Sequence, residues 1–297
     1  MREKMLERWL VLKGIAGLGD RLMTLARAMQ FAAATGRTLL IDWSHDSWNH
    51  SVEEPKGFWH YFDLVDLPAS VNVVRGDAET YAILDRLSAA GAGVTPSVFR
   101  GALRRTDWEL NRSVGRLFIG DEPVQLTDAA IVTSRESVVV YLAYCSGPLE
   151  GVLPHLRFRT VDPHGAVRYT IGVHFRNTDK SNDLTEMLER VQRVWRAGSG
   201  IYLATDDEAA IDVFCREFGG DVHYSRPPPR PASGGGIHHA TAAELATVGL
   251  TKEDLTHAMI RDVMRLRDSV VFVGCPNSLF SAVVTGLRSG LRNRITG

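Results

Sequence analysis

Apolar and polar positions alternate along the chain in blocks that predict strands followed by helices. Residues 9–13 form a short apolar run, and several glycines follow it. From Asp20 onwards apolar residues recur at every third or fourth position until Gly36, which is the spacing of an amphipathic helix. A second apolar run covers Thr38–Trp43. A strand, a glycine-rich turn, a helix and another strand are the typical opening of a doubly wound α/β domain.

The same alternation returns in the second half of the chain. The predicted strands there are 169–175, 201–205 and 269–273, and the predicted helices are 184–197, 208–218, one capped by Thr251 and one beginning at Ser278. The weaker pattern before this half predicts helices near 78–90 and 108–117 and a strand over 137–144. We therefore predict an α/β protein with two Rossmann-like domains, at 1–155 and 156–297.

Composition narrows the class of protein. Of 297 residues, 44% are hydrophobic and 23% are charged, as in folded globular proteins, and the net charge of −1 argues against a nucleic-acid binder that works by phosphate neutralisation. The three cysteines lack metal-ligand spacing, which favours a reducing compartment. No apolar stretch is long enough for a signal peptide or an integral membrane segment. We expect a soluble, cytoplasmic protein.

The first candidate site is the turn that contains Gly17, Gly19 and Asp20. Its backbone N–H groups and the helix N-terminus that follows are suited to a donor phosphate or a substrate hydroxyl. Read as a dinucleotide-binding fingerprint, the turn has Leu22 in place of the third glycine, although Asp42 ends the second strand where a ribose-binding acid would lie. An NAD-dependent oxidoreductase is therefore a weaker alternative, and tight-turn chemistry alone also explains the glycines.

The second candidate site follows the strands of the second half. Strand alternation places His174 and Arg176 on one face, and the next turn carries Asp179, Lys180 and Asp183. The planar guanidinium of arginine suits a diphosphate, although an ion pair with Asp179 is an alternative. The two following strands end in equally polar pairs, which are Asp206 with Asp207 and Asn277 with Ser278. Three polar strand ends in one half favour a nucleotide site.

These motifs resemble the α-1,6-fucosyltransferase family, which includes rhizobial nodulation-factor fucosyltransferases and eukaryotic core fucosyltransferases. The matching segments in chain order are Gly17–Leu22, Thr35–Trp43, Gly172–Lys180, Ile201–Asp207, Gly235–His239 and Asp262 with Phe272–Phe280. The resemblance implies a GT-B fold, with two Rossmann-like domains facing a cleft and the donor on the C-terminal one. It also implies transfer of L-fucose from GDP-fucose with inversion and without a metal or other cofactor, and the chain contains no Asp-x-Asp motif.

The resemblance also implies roles for individual residues. It implies that His174 and Asp262 contact the guanine base and that Arg176 holds the β-phosphate with help from Ser278. Asn177 stands where the relatives have a basic residue, so a nucleotide-sugar-binding protein without catalysis is an alternative. The predicted catalytic set is Arg176, Asp179, Lys180 and Asp183, in which the two aspartates are candidate general bases. Helix capping is the alternative role of these acids.

Two further groups complete the predicted site. Trp43, His45 and Trp48 belong to an aromatic and histidine cluster in the predicted acceptor domain, where their rings would stack on a glycan or small-molecule acceptor, with core packing as the alternative. His238 lies in the loop 226–239, which is either a donor-contacting lid or an ordinary surface loop. Within the same class, another nucleotide sugar is the nearest alternative to GDP-fucose.

Overall fold

The chain divides into two units, residues 1–159 and residues 160–297. The computed structural model describes residues 8–14, 17–43, 56–89, 116–119, 122–125, 138–142, 149–160, 168–177, 182–225, 227 and 240–295. No helix among these residues is long and apolar enough to cross a membrane. The predicted cytoplasmic location stays a prediction.

The first unit contains a mostly parallel sheet around β1. The strands of this unit are β1 (Trp9–Lys13), β2 (Thr38–Asp42), β3 (Phe62–Leu64), β4 (Asn72–Val73), β5 (Arg116–Ile119), β6 (Glu122–Gln125), β7 (Val138–Leu142) and β8 (Leu156–Phe158). The helices of this unit are α1 (Leu18–Thr35), α2 (Phe58–Tyr61) and α3 (Asp77–Ala89). Within the described residues the sheet order is β4-β2-β1-β7-β5-β6, and β5 pairs antiparallel with both neighbours. Strand β8 pairs with β3, so the first unit extends past residue 155 to Arg159.

Helix α1 follows directly from the sequence pattern. It buries Leu22, Leu25 and Met29 on the face that the three- and four-residue spacing predicts. It ends at Gly36, whose φ of 64° lies in the left-handed region that glycine adopts without steric cost. Strands β1 and β2, which flank this helix, pair in parallel, as in a doubly wound domain.

The second unit contains an all-parallel sheet with the order β11-β10-β9-β12 among the described residues. Its strands are β9 (Ile171–Phe175), β10 (Ile201–Thr205), β11 (Val222–Tyr224) and β12 (Val271–Val273), and its helices are α4 (Leu184–Val194), α5 (Glu208–Phe218), α6 (Ala242–Ala246), α7 (Lys252–Asp268) and α8 (Leu279–Ile295). The predicted strand 201–205 and helix 208–218 are confirmed residue for residue, and Thr251 caps α7 with Asp254 in a capping box.

The two faces of this second sheet differ in character. One face carries Ile171, Val173 and Phe175, which pack into an apolar cluster with side chains from α4 and α5. Alternation places Gly172 and His174 on the opposite face, towards α7 and α8. A Cβ on Gly172 would lie 2.6 Å from Ser269 Oγ, so only glycine allows the end of α7 to approach the strand this closely.

Several predicted boundaries are wrong. Strand β9 begins at Ile171 and not at residue 169, and helix α1 begins at Leu18, two residues before Asp20. Arg116 and Leu117 begin strand β5, whereas the sequence pattern placed them at the end of a helix, because short apolar runs suit either structure. Helix α4 ends at Val194, and Trp195 is extended. Strand β12 begins at Val271 and not at residue 269, because Ser269 is the C-cap of α7.

Candidate functional site

The ends of β9 and β10 are joined through polar side chains. Nε of Arg176 lies 3.8 Å from Oδ2 of Asp206, and the Arg176 side chain remains 24% exposed. The Asn177 N–H donates to Oδ1 of Asp206 at 2.8 Å, and the Asn177 side-chain amide donates to Oδ2 of Asp207 at 2.8 Å. The Asn182 amide donates to the Arg176 carbonyl. These contacts fix the backbone beneath a guanidinium that still reaches solvent.

Two predicted site residues cap helices. Asp183 precedes α4 and accepts from the backbone N–H of Thr185 at 2.8 Å, and Asp207 precedes α5 and accepts from the N–H of Ala209 at 3.1 Å. Helix capping was the alternative role for Asp183, and Asp183 caps α4 in the structure. The general-base role of Asp183 stays a prediction.

His174 is a buried imidazole at the end of β9. It is 8% exposed, its Nδ1 lies 2.8 Å from Oγ of Ser281, and its ring centroid lies 4.6 Å from that of Phe280. Burial lowers the pKa of His174 to about 3, and the positive charge of Arg176 adds to this effect. The imidazole is therefore neutral at physiological pH.

The end of β12 leads into the N-terminus of α8 at the same edge of the sheet. The Cys275 thiol donates to the His174 carbonyl at 3.3 Å, and the N–H of Ser278 donates to the Cys275 carbonyl at 3.2 Å. Ser278 is 4% exposed, and its Oγ accepts from the N–H of Ser281 at 3.5 Å. The first N–H groups of α8 have no intrahelical partner, so this terminus is a favourable place for an anion. Asn277 is exposed beside it.

Asp262 belongs to a polar cluster between α7 and the strands. Its Oδ1 accepts hydrogen bonds from the Tyr202 hydroxyl and, at 3.2 Å, from the Ser225 hydroxyl, while Nη1 of Arg265 donates to Tyr202 at 3.2 Å. Burial raises the pKa of Asp262 to about 6 against the lowering effect of these hydrogen bonds. Burial and the neighbouring Asp262 raise the pKa of Tyr202, so the phenol stays protonated.

The predicted residues of the first unit lie in and around α1. Gly17 precedes this helix and accepts from the N–H of Arg21 at 3.1 Å, Gly19 is buried in the first turn, and Asp20 is partly exposed there. Trp43 is 0% exposed, and its ring centroid lies 5.0 Å from that of Phe58. The structure therefore favours core packing, the alternative role, for Trp43.

Several predicted residues lie outside the described part of the chain, and their roles stay predictions. These are His45, Trp48, Asp179, Lys180 and His238. Conversely, sequence patterns missed Tyr202, Ser225 and Ser281, each of which bonds directly to a predicted site residue. Tyr202 lies inside an apolar strand and Ser281 inside a helix, so neither stands out by position.

The mostly parallel sheet of the first unit and the parallel sheet of the second define an α/β protein, and the likeness to solved fucosyltransferases identifies its fold as GT-B. Among solved structures, the chain is similar to fucosyltransferase NodZ from Bradyrhizobium, with a TM-score of 0.60 and 20% identity over 94% of this chain and 93% of that one. It is also similar to POFUT1 in complex with GDP-fucose, with a TM-score of 0.58 and 14% identity over 97% of this chain and 96% of that one. Neither a protein-family model nor a curated protein sequence matches the chain.

Proposed function

We propose that the protein is a glycosyltransferase that transfers L-fucose from GDP-fucose to a hydroxyl group of a glycan or small-molecule acceptor. The observation that carries this proposal is the position of Arg176, a partly exposed guanidinium at the end of β9, one strand from the N-terminus of α8. A cation and a helix N-terminus at one edge of a parallel sheet suit a diphosphate. The likeness to NodZ, a fucosyltransferase, and to POFUT1 bound to GDP-fucose supports the choice of donor.

In the proposed reaction Arg176 stabilises the negative charge that develops on the departing GDP. The N–H groups at the start of α8, beside Ser278, stabilise the same charge. Since a fixed guanidinium supplies positive charge at this point, we propose a reaction without a metal, and the family resemblance implies that it proceeds with inversion. In this proposal the second unit, residues 160–297, holds the donor and the first unit, residues 1–159, holds the acceptor. Asp179 or Asp183 deprotonates the acceptor.

We assign the guanine base of the donor to the face of the second sheet that is covered by α7 and α8. His174 and Asp262 lie towards α7 and α8 and are proposed to contact guanine. The sequence resemblance extends the proposal to the α-1,6-fucosyltransferase family. The dinucleotide alternative has less support, because Asp42, its ribose-binding acid, is only 1% exposed.

The first experiment compares thermal unfolding of the protein with GDP, GDP-fucose, UDP, dTDP and NAD. A ligand of the folded state at one hundred times its Kd stabilises that state by about 2.7 kcal/mol. We expect GDP and GDP-fucose to raise the Tm and the other nucleotides to leave it nearly unchanged. Stabilisation by NAD and not by GDP would overturn the proposal in favour of the oxidoreductase.

The second experiment measures fucose release from GDP-fucose by Arg176→Ala. Loss of a single donor to a developing negative charge typically lowers kcat by roughly 10²–10³-fold, and we expect a loss of this size. Arg193→Ala is the matched control, because Arg193 is a 73% exposed arginine in the same unit that pairs only with Glu189 at 3.6 Å among the ion pairs of the described residues. Equal turnover by the two variants would contradict the role of Arg176. An inactive wild-type protein that binds GDP would favour the binding protein without catalysis.

A further inference from the structure

The Ser281 hydroxyl connects His174 to the backbone of the β12–α8 connection. Its Oγ lies 2.8 Å from Nδ1 of His174 and accepts a hydrogen bond of 3.0 Å from the N–H of Cys275. Ser281 is 6% exposed. A Cβ on Gly274 would lie 2.7 Å from this Oγ, so the glycine leaves the space that the hydroxyl occupies.

In the part of the chain that the structure describes, the proton of this hydroxyl has one acceptor. The backbone N–H of Cys275 is only a donor, so it occupies a lone pair of Ser281 Oγ and leaves the hydroxyl proton for another group. Among the described residues, Nδ1 of His174 is the acceptor within reach. A ring nitrogen that accepts carries no proton, so the proton of the neutral imidazole lies on Nε2.

The other ring nitrogen faces away from these contacts. Within the described part of the chain, no protein group forms a hydrogen bond with Nε2 of His174, although the side chain is more than nine-tenths buried. Because the ring is neutral, Nε2–H is a donor and not an acceptor. A ligand group that meets it must therefore accept a hydrogen bond.

We propose that Ser281 is a positioning residue that holds His174 in the Nε2–H tautomer and thereby selects a base with a carbonyl oxygen at the contact. This inference rests on the proposed function, since it names the feature of the GDP base that the site distinguishes. Guanine presents a carbonyl at position 6, whereas adenine presents an amino group there, which is itself a donor. Both bases also offer N7 as an acceptor, so an Nε2–H group that faces position 6 is what favours GDP over ADP.

The direct test reads the tautomer without any ligand. Nitrogen–proton correlation spectra of protein with labelled histidine distinguish Nδ1–H from Nε2–H, and the signals of His174 are those that disappear in His174→Gln. We expect the Nε2–H form in the wild type and in Ser281→Thr, which retains the hydroxyl, and a shift towards Nδ1–H in Ser281→Ala. Ser289→Ala is the matched control, because Ser289 is an exposed serine on the same helix. A wild-type protein in the Nδ1–H form, or an unchanged tautomer in Ser281→Ala, would overturn the proposal.

The second test measures the Kd of GDP and of ADP by calorimetry. Loss of a well-placed hydrogen bond is expected to weaken GDP binding by roughly tenfold in Ser281→Ala, with a smaller effect on ADP and recovery in Ser281→Thr. An equal loss for both nucleotides would refute the link to base selection. If wild-type protein binds no GDP, the proposed function fails, while the tautomer spectra still decide the role of Ser281.

Discussion

Replacement of Asp262 by asparagine is expected to stabilise the ligand-free protein at neutral pH. The carboxylate of Asp262 is partly buried between α7 and the sheet, and burial raises its pKa from 3.8 to about 6. Asparagine keeps an oxygen that can accept from the Tyr202 and Ser225 hydroxyls, as Oδ1 of Asp262 does. The substitution therefore removes the cost of a buried charge and retains its main hydrogen bonds.

The size and the pH dependence of the effect follow from the pKa. Each pH unit between the unfolded-state and folded-state pKa values corresponds to about 1.4 kcal/mol, so ionised Asp262 costs the folded protein up to roughly 3 kcal/mol above pH 6. Because the pKa is higher in the folded state, the folded protein takes up a proton between pH 6 and pH 4. The cost then disappears, and the advantage of Asp262→Asn falls as the pH falls through this range.

Urea unfolding at pH 8, 6 and 4.5 provides the measurement. The free energy of unfolding of Asp262→Asn should exceed that of the wild type by the largest amount at pH 8 and by the smallest at pH 4.5. Asp212→Asn, an exposed aspartate on α5, is the control and should change stability by no more than about 0.5 kcal/mol. The reasoning is refuted if Asp262→Asn is less stable than the wild type at pH 8, or if the difference is independent of pH.

Two further substitutions test the scaffold. Gly172→Ala should lower the free energy of unfolding in urea by about 1–3 kcal/mol, because its Cβ would lie 2.6 Å from Ser269 Oγ, and an unchanged free energy would contradict this close approach. Asp77→Ala should cost about 1–3 kcal/mol, because the carboxylate of Asp77 accepts from the N–H groups of Gly57 at 3.0 Å and Trp59 at 3.2 Å. Faster proteolysis near residue 57 would accompany this loss, and equal protection in both proteins would argue against it.

The sequence predicted the parts of the fold that depend on local periodicity. Strand 201–205 and helix 208–218 were predictable because a fully buried parallel strand and an amphipathic helix have clear patterns. The pairing of β3 with β8 was not, since nothing in either short segment specifies a partner more than ninety positions away. A similar limit applies to β5, where a short apolar run does not distinguish a strand from a helix.

The candidate site shows the same division between local and distant information. Arg176 and His174 were predicted because polar residues at the end of a buried strand are conspicuous. The sequence offered an ion pair with Asp179 as an alternative role for Arg176, and Asp179 lies outside the described part of the chain. The ion pair with Asp206 was not predicted, because only the pairing of β9 with β10 brings Asp206 near. Ser281 is separated from His174 by 107 positions, and a serine within a helix has many ordinary explanations.

The composition of the two faces of the second sheet argues for a binding site on physical grounds. The face towards α4 and α5 is apolar, as stability requires. The opposite face carries the imidazole of His174, whose pKa falls to about 3, and α7 on that side contributes the carboxylate of Asp262, whose pKa rises to about 6. At neutral pH, hydrophobic residues at these two positions would avoid the burial of the polar Nε2–H group of His174 and of the charge on Asp262, so stability alone does not explain their presence. A ligand that accepts a hydrogen bond from Nε2–H of His174 and donates one to the carboxylate of Asp262 would offset these costs on binding. Asp262→Asn, which should be more stable than the wild type without ligand, should therefore be among the weakest binders of GDP.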